Sequence, residues 1–362
     1  MVNKTLSIVG GILTNNESIK RTFTIGLIIL LISFSIIPST QAIVYIKSKN
    51  TISNSNTLYV GGFGPGNYTY IQDAINNADN GDTVFVYDDR SPYHENLIVN
   101  KSINLIGENR DTTFIDGLGF WDVVYISADW VKVSGFHIRF SGDMFFSSGI
   151  DISSNYTSIN NNYITSNRWA GICIWGLNNT VKDNFIYSNF FYGICILVSN
   201  SNTITGNNIS NHGCGIGILI SNTNTIINNN ISNNVYGILL NESSNNIISY
   251  DNILLNNNIG IILKDSNSNS ITGNTIKNCE CGIELSYSRN NIIQKNNFLE
   301  NKRHAFFENC KNKWKNNYWN RPRLLPKPII GAISINLPWP FQDIYIRWIN
   351  FDLRPALRPY DI

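Results

Sequence analysis

The pair Gly-Ile returns through the middle of the chain at Gly149, Gly171, Gly193, Gly215, Gly237, Gly260 and Gly282, with a degenerate copy at Ala305. The intervals are 22, 22, 22, 22, 23, 22 and 23 residues. A constant period of this size marks a solenoid, whose repeats are stable only when stacked on one another. The letters inside the period decide which kind. Ile172-x-Ile174 and Ile194-x-Ile196 alternate as strands do. The Leu-x-x-Leu-x-Leu of leucine-rich repeats is missing, and helical repeats run longer. Several short strands per turn, with Gly and Asn at the corners, define a parallel β-helix.

A second register agrees. In each copy an apolar residue is followed three positions later by Asn and five later by another apolar residue, as in Ile159/Asn162/Ile164, Ile204/Asn207/Ile209 and Ile271/Asn274/Ile276. Asp251 takes the Asn position once, in Ile248/Asp251/Ile253. A further, mostly Asn column runs Asn167, Asn189, His212, Asn234, Asn256, Cys279, Asn301. Stacked at the strand spacing of ~4.8 Å, such side chains bond along the axis as a ladder, and Asn tolerates left-handed corners. Roughly ten turns predict a rod on the order of 50 Å long.

Both ends of a solenoid need covers against edge-to-edge aggregation. Ile71, Ala74, Ile75 and Ala78 have helical spacing and lead into a strand, so residues 43–83 are expected to form an N-terminal cap. The β-helix is expected over 84–319. The Pro-, Trp- and Arg-rich segment 320–362 reads as an irregular C-terminal cap. Ahead of these, Lys20 and Arg21 precede the apolar run Ile25–Ile37, and small residues follow to Ala42. A run of thirteen residues is short for a span of about 20, so residues 1–42 read as an export signal, with an uncleaved N-terminal anchor as the alternative. Either makes the remainder secreted or exposed at the cell surface, outside the cytoplasm. A formal net charge of +2 with 14% charged residues gives no electrostatic reason to expect nucleic acid or an anionic membrane as partner. Membrane contact is expected only through an uncleaved N-terminal segment.

From Leu58 to Trp319 the chain resembles a known family. Its opening, from "YTYIQDAINNADNGDTVFVYDD" to "NLIGENRDTTFIDG", is similar to right-handed parallel β-helix proteins of the pectin-lyase-like superfamily. The Asn-rich turns resemble the NosD-like branch, named for a periplasmic copper-binding protein, and the repeat domain of carbohydrate-binding proteins and sugar hydrolases. The resemblance implies an outer face for polysaccharide and, in the family's enzymes, clustered Asp with Arg or Lys, often with calcium. The family's Asn-Thr-Asp, Gly-His-Gly and Asp-Pro-His-Asp signatures are missing from the turns.

The chemistry-bearing residues left are few. The stretch Arg139–Ser148 is longer than its counterparts, and loops on rigid scaffolds are where function concentrates. It carries Arg139 and Asp143 and is expected beside Asp151, making these three the catalytic candidates for acid/base work. Arg168, Trp169, Trp175 and Tyr192 on the next turns are the candidates for holding sugar rings. The plain alternative is that Phe145 and Phe146 tuck over the rod and the charges are solvated. Cys173 and Cys195 share one slot of adjacent turns and are expected as free, outward-facing thiols, since parallel Cβ vectors suit a disulfide poorly. Cys279 and Cys281, with His304 expected in the Cys281 slot one turn on, are candidate copper or zinc ligands. The expected function is an exported, non-catalytic β-helix that binds polysaccharide or is structural. A polysaccharide lyase or hydrolase, with or without calcium, is the alternative, and copper handling a third.

Overall fold

A computed structural model describes residues 55–143, 146–255, 258–335 and 344–362. The proposed export segment, Phe145 and Asn256 lie outside them. The chain divides into Met1–Asn54 and Ser55–Ile362, and the described residues all belong to the second unit.

Each turn lays down three short strands, and every strand pairs in parallel with its equivalent one turn away. A representative turn runs Tyr192–Leu197, Thr203–Thr205 and Asn208–Ser210, which we call its first, second and third faces. Register follows the repeat: Ile172 pairs with Ile194, Cys173 with Cys195 and Ile174 with Ile196. Among the described residues the first face has eleven strands, the second thirteen and the third ten. The second face starts at Thr57–Val60, which pairs with Thr83–Val86, so the ladder begins inside the stretch expected to be a cap. Thirteen levels span roughly 58 Å, somewhat more than the ten turns read from the sequence.

Inward positions carry one apolar residue per level. Ile172, Ile194, Ile216 and Ile238 form one stack and Ile164, Ile186, Ile209 and Ile231 another, all essentially inaccessible to solvent. The Gly before each first-face Ile is set by close approach. A Cβ on Gly193 would lie 2.6 Å from the Gly215 carbonyl oxygen and 2.6 Å from Ile209 Cγ2, closer than atoms pack. That answers why the chain repeats Gly-Ile.

Polar ladders run up the corners inside this wall. Asn207 Oδ1 accepts from Asn184 N and Nδ2, both at 3.0 Å, while Asn184 Nδ2 also donates to the Ile159 carbonyl at 2.9 Å. Such bonds satisfy buried backbone groups that the corners would otherwise orphan. The series ends at Asp352, whose carboxylate accepts from Asn317 N (2.9 Å), Asn317 Nδ2 (3.1 Å) and Trp319 Nε1 (3.1 Å). A further Asn column, Asn179, Asn202, Asn224, Asn246, Asn269 and Asn291, joins the first and second faces with the same bonding.

At the front, helix α1 (Ile71–Asn77) buries Ile71, Ala74 and Ile75 against the first core level. Its first two free amides, on Ile71 and Gln72, donate to the Glu95 carboxylate at 2.8 and 2.9 Å, a charged cap supplied by the following turn. At the back the core ends in aromatics, with Phe298 and Trp319 stacked at 4.5 Å. A two-stranded antiparallel ribbon, Lys327–Ile335 with Ile344–Asp352, then joins the first-face ladder through Phe307–Gly331 and the second through Trp314–Asp352.

Candidate functional site

The third face is where the front of the rod departs from the rest. Its strands have three residues, apart from the last, Tyr318–Trp319, and the middle residue points inward between two outward neighbours. From Asn208 to Asn297 the first outward position is Asn or Thr: Asn208, Asn230, Asn252, Thr275, Asn297; the last level has Tyr318, which is buried at the back of the rod. In the four levels before Asn208 it is aromatic: Phe114, His137, Tyr163, Phe185. Phe114 and His137 stack at 4.5 Å between ring centroids, His137 and Tyr163 are 5.6 Å apart, and Tyr163 and Phe185 are 5.2 Å apart. Burial, and then the Arg139 charge, lower the His137 pKa to about 4, so its ring is neutral at pH 7. Its Nε2 lies 2.9 Å from Thr165 Oγ1.

Three arginines lie on this face and its two flanking corners, each against an aromatic ring. The Arg110 guanidinium sits 4.5 Å from the Phe185 centroid and 5.3 Å from that of Tyr163, and donates to Asn161 Oδ1 at 2.9 Å. Arg139 lies 4.6 Å over Phe114 and donates from Nε to Asp116 Oδ2 at 3.0 Å. Arg168 lies 4.7 Å over Phe190 and pairs with Asp143 at 3.0 Å. Aromatic contact and fork geometry both suit Arg better than Lys. A cleft of about 430 Å³ opens between Asp111, Phe114, His137, Tyr163, Phe185 and Tyr187. A second, of about 690 Å³, is lined by Asp116, Phe140, Asp143, Arg168, Ser188 and Phe190.

The structure divides the residues singled out from sequence. Asp143 and Arg168 pair at the larger cleft, and Arg139 reaches it only through its ion pair with Asp116. Asp151, Trp169, Trp175 and Tyr192 lie on the outside of the first face, under the loop. There Phe146 packs edge-on against Trp169 at 4.9 Å and against Trp175 at 5.9 Å. With Phe191, Tyr192, Cys173, Cys195, Leu197 and Leu219 they form an apolar cluster separate from the main core. Trp169 is 5% exposed, so the expected open strip of Trp169, Trp175 and Tyr192 is instead the packing beneath a folded-down loop. Phe146 tucks over the rod as the plain alternative held.

Asp151 sits at the edge of this cluster, 6% exposed. It accepts from Trp175 Nε1 at 2.8 Å and from Ser153 Oγ at 2.9 Å. Burial, with the nearby Asp122 charge added, pushes its pKa up to about 7. A raised carboxyl pKa marks a general acid only where substrate reaches it. Here each oxygen is occupied and the carboxyl is nearly closed off from solvent, so Asp151 stands apart from Arg139 and Asp143.

Cys173 and Cys195 point away from the core as expected, yet the aromatic cluster covers them completely. Hydrogen bonding to Cys195, and then burial, hold the Cys173 thiol well above its ordinary pKa, so it is no ready thiolate. The register corrects the third group. Cys281 pairs with Arg303, not His304, and His304 stands beside Gly282 with its carbonyl oxygen turned toward that glycine. Burial of the His304 ring, with Lys327 and Arg323 nearby, lowers its pKa to about 4. Among the described residues no three His, Cys, Asp or Glu side chains gather to hold a metal ion.

A parallel β-helix places the chain in the broad class of β-solenoid proteins. Within it the chain belongs to the family described as periplasmic copper-binding protein (NosD), whose sequence profile matches residues 131–333, more than half of the 362. Solved structures agree in fold. The enzymatically active domain of bacteriophage CBA120 tailspike protein 2 is similar at 14% identity with a TM-score of 0.55, over 74% of this chain and 47% of that one. The chain thus spans about half the length of that tailspike domain. DFA-IIIase from Arthrobacter chlorophenolicus A6, without its lid, gives 12% and 0.52 over 73% and 94%. Dettilon tailspike protein gives 15% and 0.51 over 76% and 72%. At these identities the likeness is one of fold. No curated protein sequence matches significantly. Among the described residues no helix is long and apolar enough to cross a membrane.

Proposed function

We propose that this chain is an exported, non-catalytic polysaccharide-binding rod that holds a linear glycan along its third face. The observation that carries the reading is the change from Asn to aromatics at Phe114, His137, Tyr163 and Phe185, flanked by Arg110, Arg139 and Arg168. Four levels in line offer roughly 14 Å of repeating contact parallel to the rod axis. Aromatic bodies supply apolar contact for sugar rings, and the arginine forks supply donors for hydroxyl or carboxylate oxygens. The family's periplasmic description supports placement outside the cytoplasm.

The enzyme alternative draws on Asp116 and Asp143, which line one cleft. Each is already held by an arginine, which occupies the carboxylates that the paired acid and base roles of glycoside chemistry would need free. Native affinity electrophoresis of the full chain, through gels cast with neutral and uronic polysaccharides with and without calcium, tests both. Retardation in one gel, lost in the double variant Tyr163→Ala/Phe185→Ala, is the expected result. A cleared zone around the band, abolished by Asp116→Asn or Asp143→Asn, would replace binding with catalysis.

A further inference from the structure

The near-neutral sum of charges conceals an uneven distribution. Residues 55–288 carry nine Lys and Arg against nineteen Asp and Glu, a net of −10, while residues 289–362 carry thirteen against five, a net of +8. The basic segment ends in the terminal ribbon, which is also the most apolar exposed element of the described residues. On one side of the ribbon Ile335 faces Ile344, Ile333 faces Ile346 and Gly331 faces Trp348. On the other, Ser334 faces Tyr345, Ala332 faces Arg347 and Ile330 faces Ile349. Residues opposite one another in an antiparallel pair share a side. Ile335, Ile344, Ile346 and Trp348 on the first side, and Ile330, Tyr345 and Ile349 on the second, are each between 42% and 63% exposed.

We propose that the terminal ribbon and its basic surroundings dock the rod onto an anionic phospholipid surface. Three observations favour lipid over a protein partner. A second sheet packing face to face covers only one side of a ribbon, whereas both sides here are apolar and a fluid interface covers both. Charge complementarity points the same way: exposed Lys311, Lys313 and Lys315 on the strand beneath the ribbon, Arg347 on it and Arg354 just past it match a negative surface. They also oppose pairing of two identical basic ends. The side-chain types fit as well, since Trp and Tyr favour the headgroup level and Arg stems snorkel. Depth is limited because, among the described residues, no third strand pairs along the ribbon's outer edges beyond Ala332 and before Asp352, which leaves backbone groups that hydrocarbon would not satisfy. The ribbon therefore lies in the interface and does not span.

Vesicle co-sedimentation of the full chain tests this, on pure phosphatidylcholine and on an equal mixture with phosphatidylglycerol. Every variant keeps the same N-terminal apolar run, so that segment contributes a constant background. Wild type is expected to partition onto the mixed vesicles with strong salt dependence. Ile346→Ser/Trp348→Ser should lower that partition at least tenfold. Arg347→Gln/Arg354→Gln, exposed changes that leave the ribbon's apolar contacts in place, should lower it about fivefold per arginine without altering the thermal melt. Equal binding to both vesicle types, or unchanged binding by either variant, overturns the proposal. Lipid-free oligomers that dissociate in the same variants would also overturn it, and would assign the ribbon to a second copy of the chain.

Discussion

Asp251 is the residue that least fits its place. In the levels on either side the same position is an Asn whose amide nitrogen donates to a backbone carbonyl, Asn229 to Ile204 and Asn274 to Ile248. Asp251 offers Oδ1 to Asn229 at 2.7 and 2.9 Å, but its buried Oδ2 has no partner. Burial pushes its pKa up to about 7. A raised carboxyl pKa means that the folded state holds its proton longer than the unfolded chain does. Stability from this group is therefore complete below pH 4 and falls as pH rises to 7, by on the order of 4 kcal/mol. Asp251→Asn should restore the donor, so its melting temperature should exceed wild type clearly at pH 8 and little at pH 4.5. His212 has the opposite sign. Its Nδ1 accepts from Asn189 N at 3.1 Å, its Nε2 lies 3.1 Å from the Ile186 carbonyl, and burial lowers its pKa to about 4. Protonation is then resisted in the fold, and stability is lost as pH falls from 6.5 toward 4. His212→Asn should flatten that acid limb, a result read from melts between pH 4 and 6.5. Both residues could be found in the sequence as breaks in an Asn column. What they do there could not, because a column records position and says nothing of which bonds a substitute fails to make.

At the scale of elements, the repeat made the strands legible and hid the site. Apolar alternation identifies the inward positions at every level, and Ile71, Ala74 and Ile75 gave helix α1. The third Asn column, Asn179 to Asn291, went unread because it lies between the two registers used for alignment. The aromatic strip was missed for a related reason: Tyr163 and Phe185 sit one residue before an inward Ile, where other turns show Asn. Aligning by that outward position would have exposed the change of composition. Trp169 and Trp175 carry the commoner sugar-stacking letter, yet their size equally suits packing under a loop. Truncating the two groups should therefore have different consequences. Trp169→Ala should destabilise by about 3–5 kcal/mol, as large-to-small changes at buried aromatics do, seen as an earlier denaturant midpoint. Tyr163→Ala, half-buried on the outer face, should cost far less stability and show its effect in the affinity gels.

For the whole molecule, stability is shared between neighbouring turns, so the ends matter beyond their size. Asp352 closes one ladder with bonds to Asn317 and Trp319. Asp352→Ala leaves those donors buried and unpaired, at about 1–3 kcal/mol for each group. Hydrogen exchange should then speed up first at Trp314–Trp319 and spread toward lower residue numbers, while the strands near Val60 stay protected. The rod also poses a problem of address. Turns such as 159–174 and 181–196 share their Asn and all but one of their inward letters, so sliding the chain by one whole turn would return their inward side chains to nearly equivalent slots. A slip of one residue is forbidden by facing, but one of 22 is nearly silent. The irregular levels break that degeneracy. The loop over Trp169 fits only beside Phe146, His212 bridges only between Asn189 and Ile186, and Phe298 stacks only on Trp319. Departures from the repeat thus act as page numbers, telling otherwise interchangeable turns where in the stack they belong.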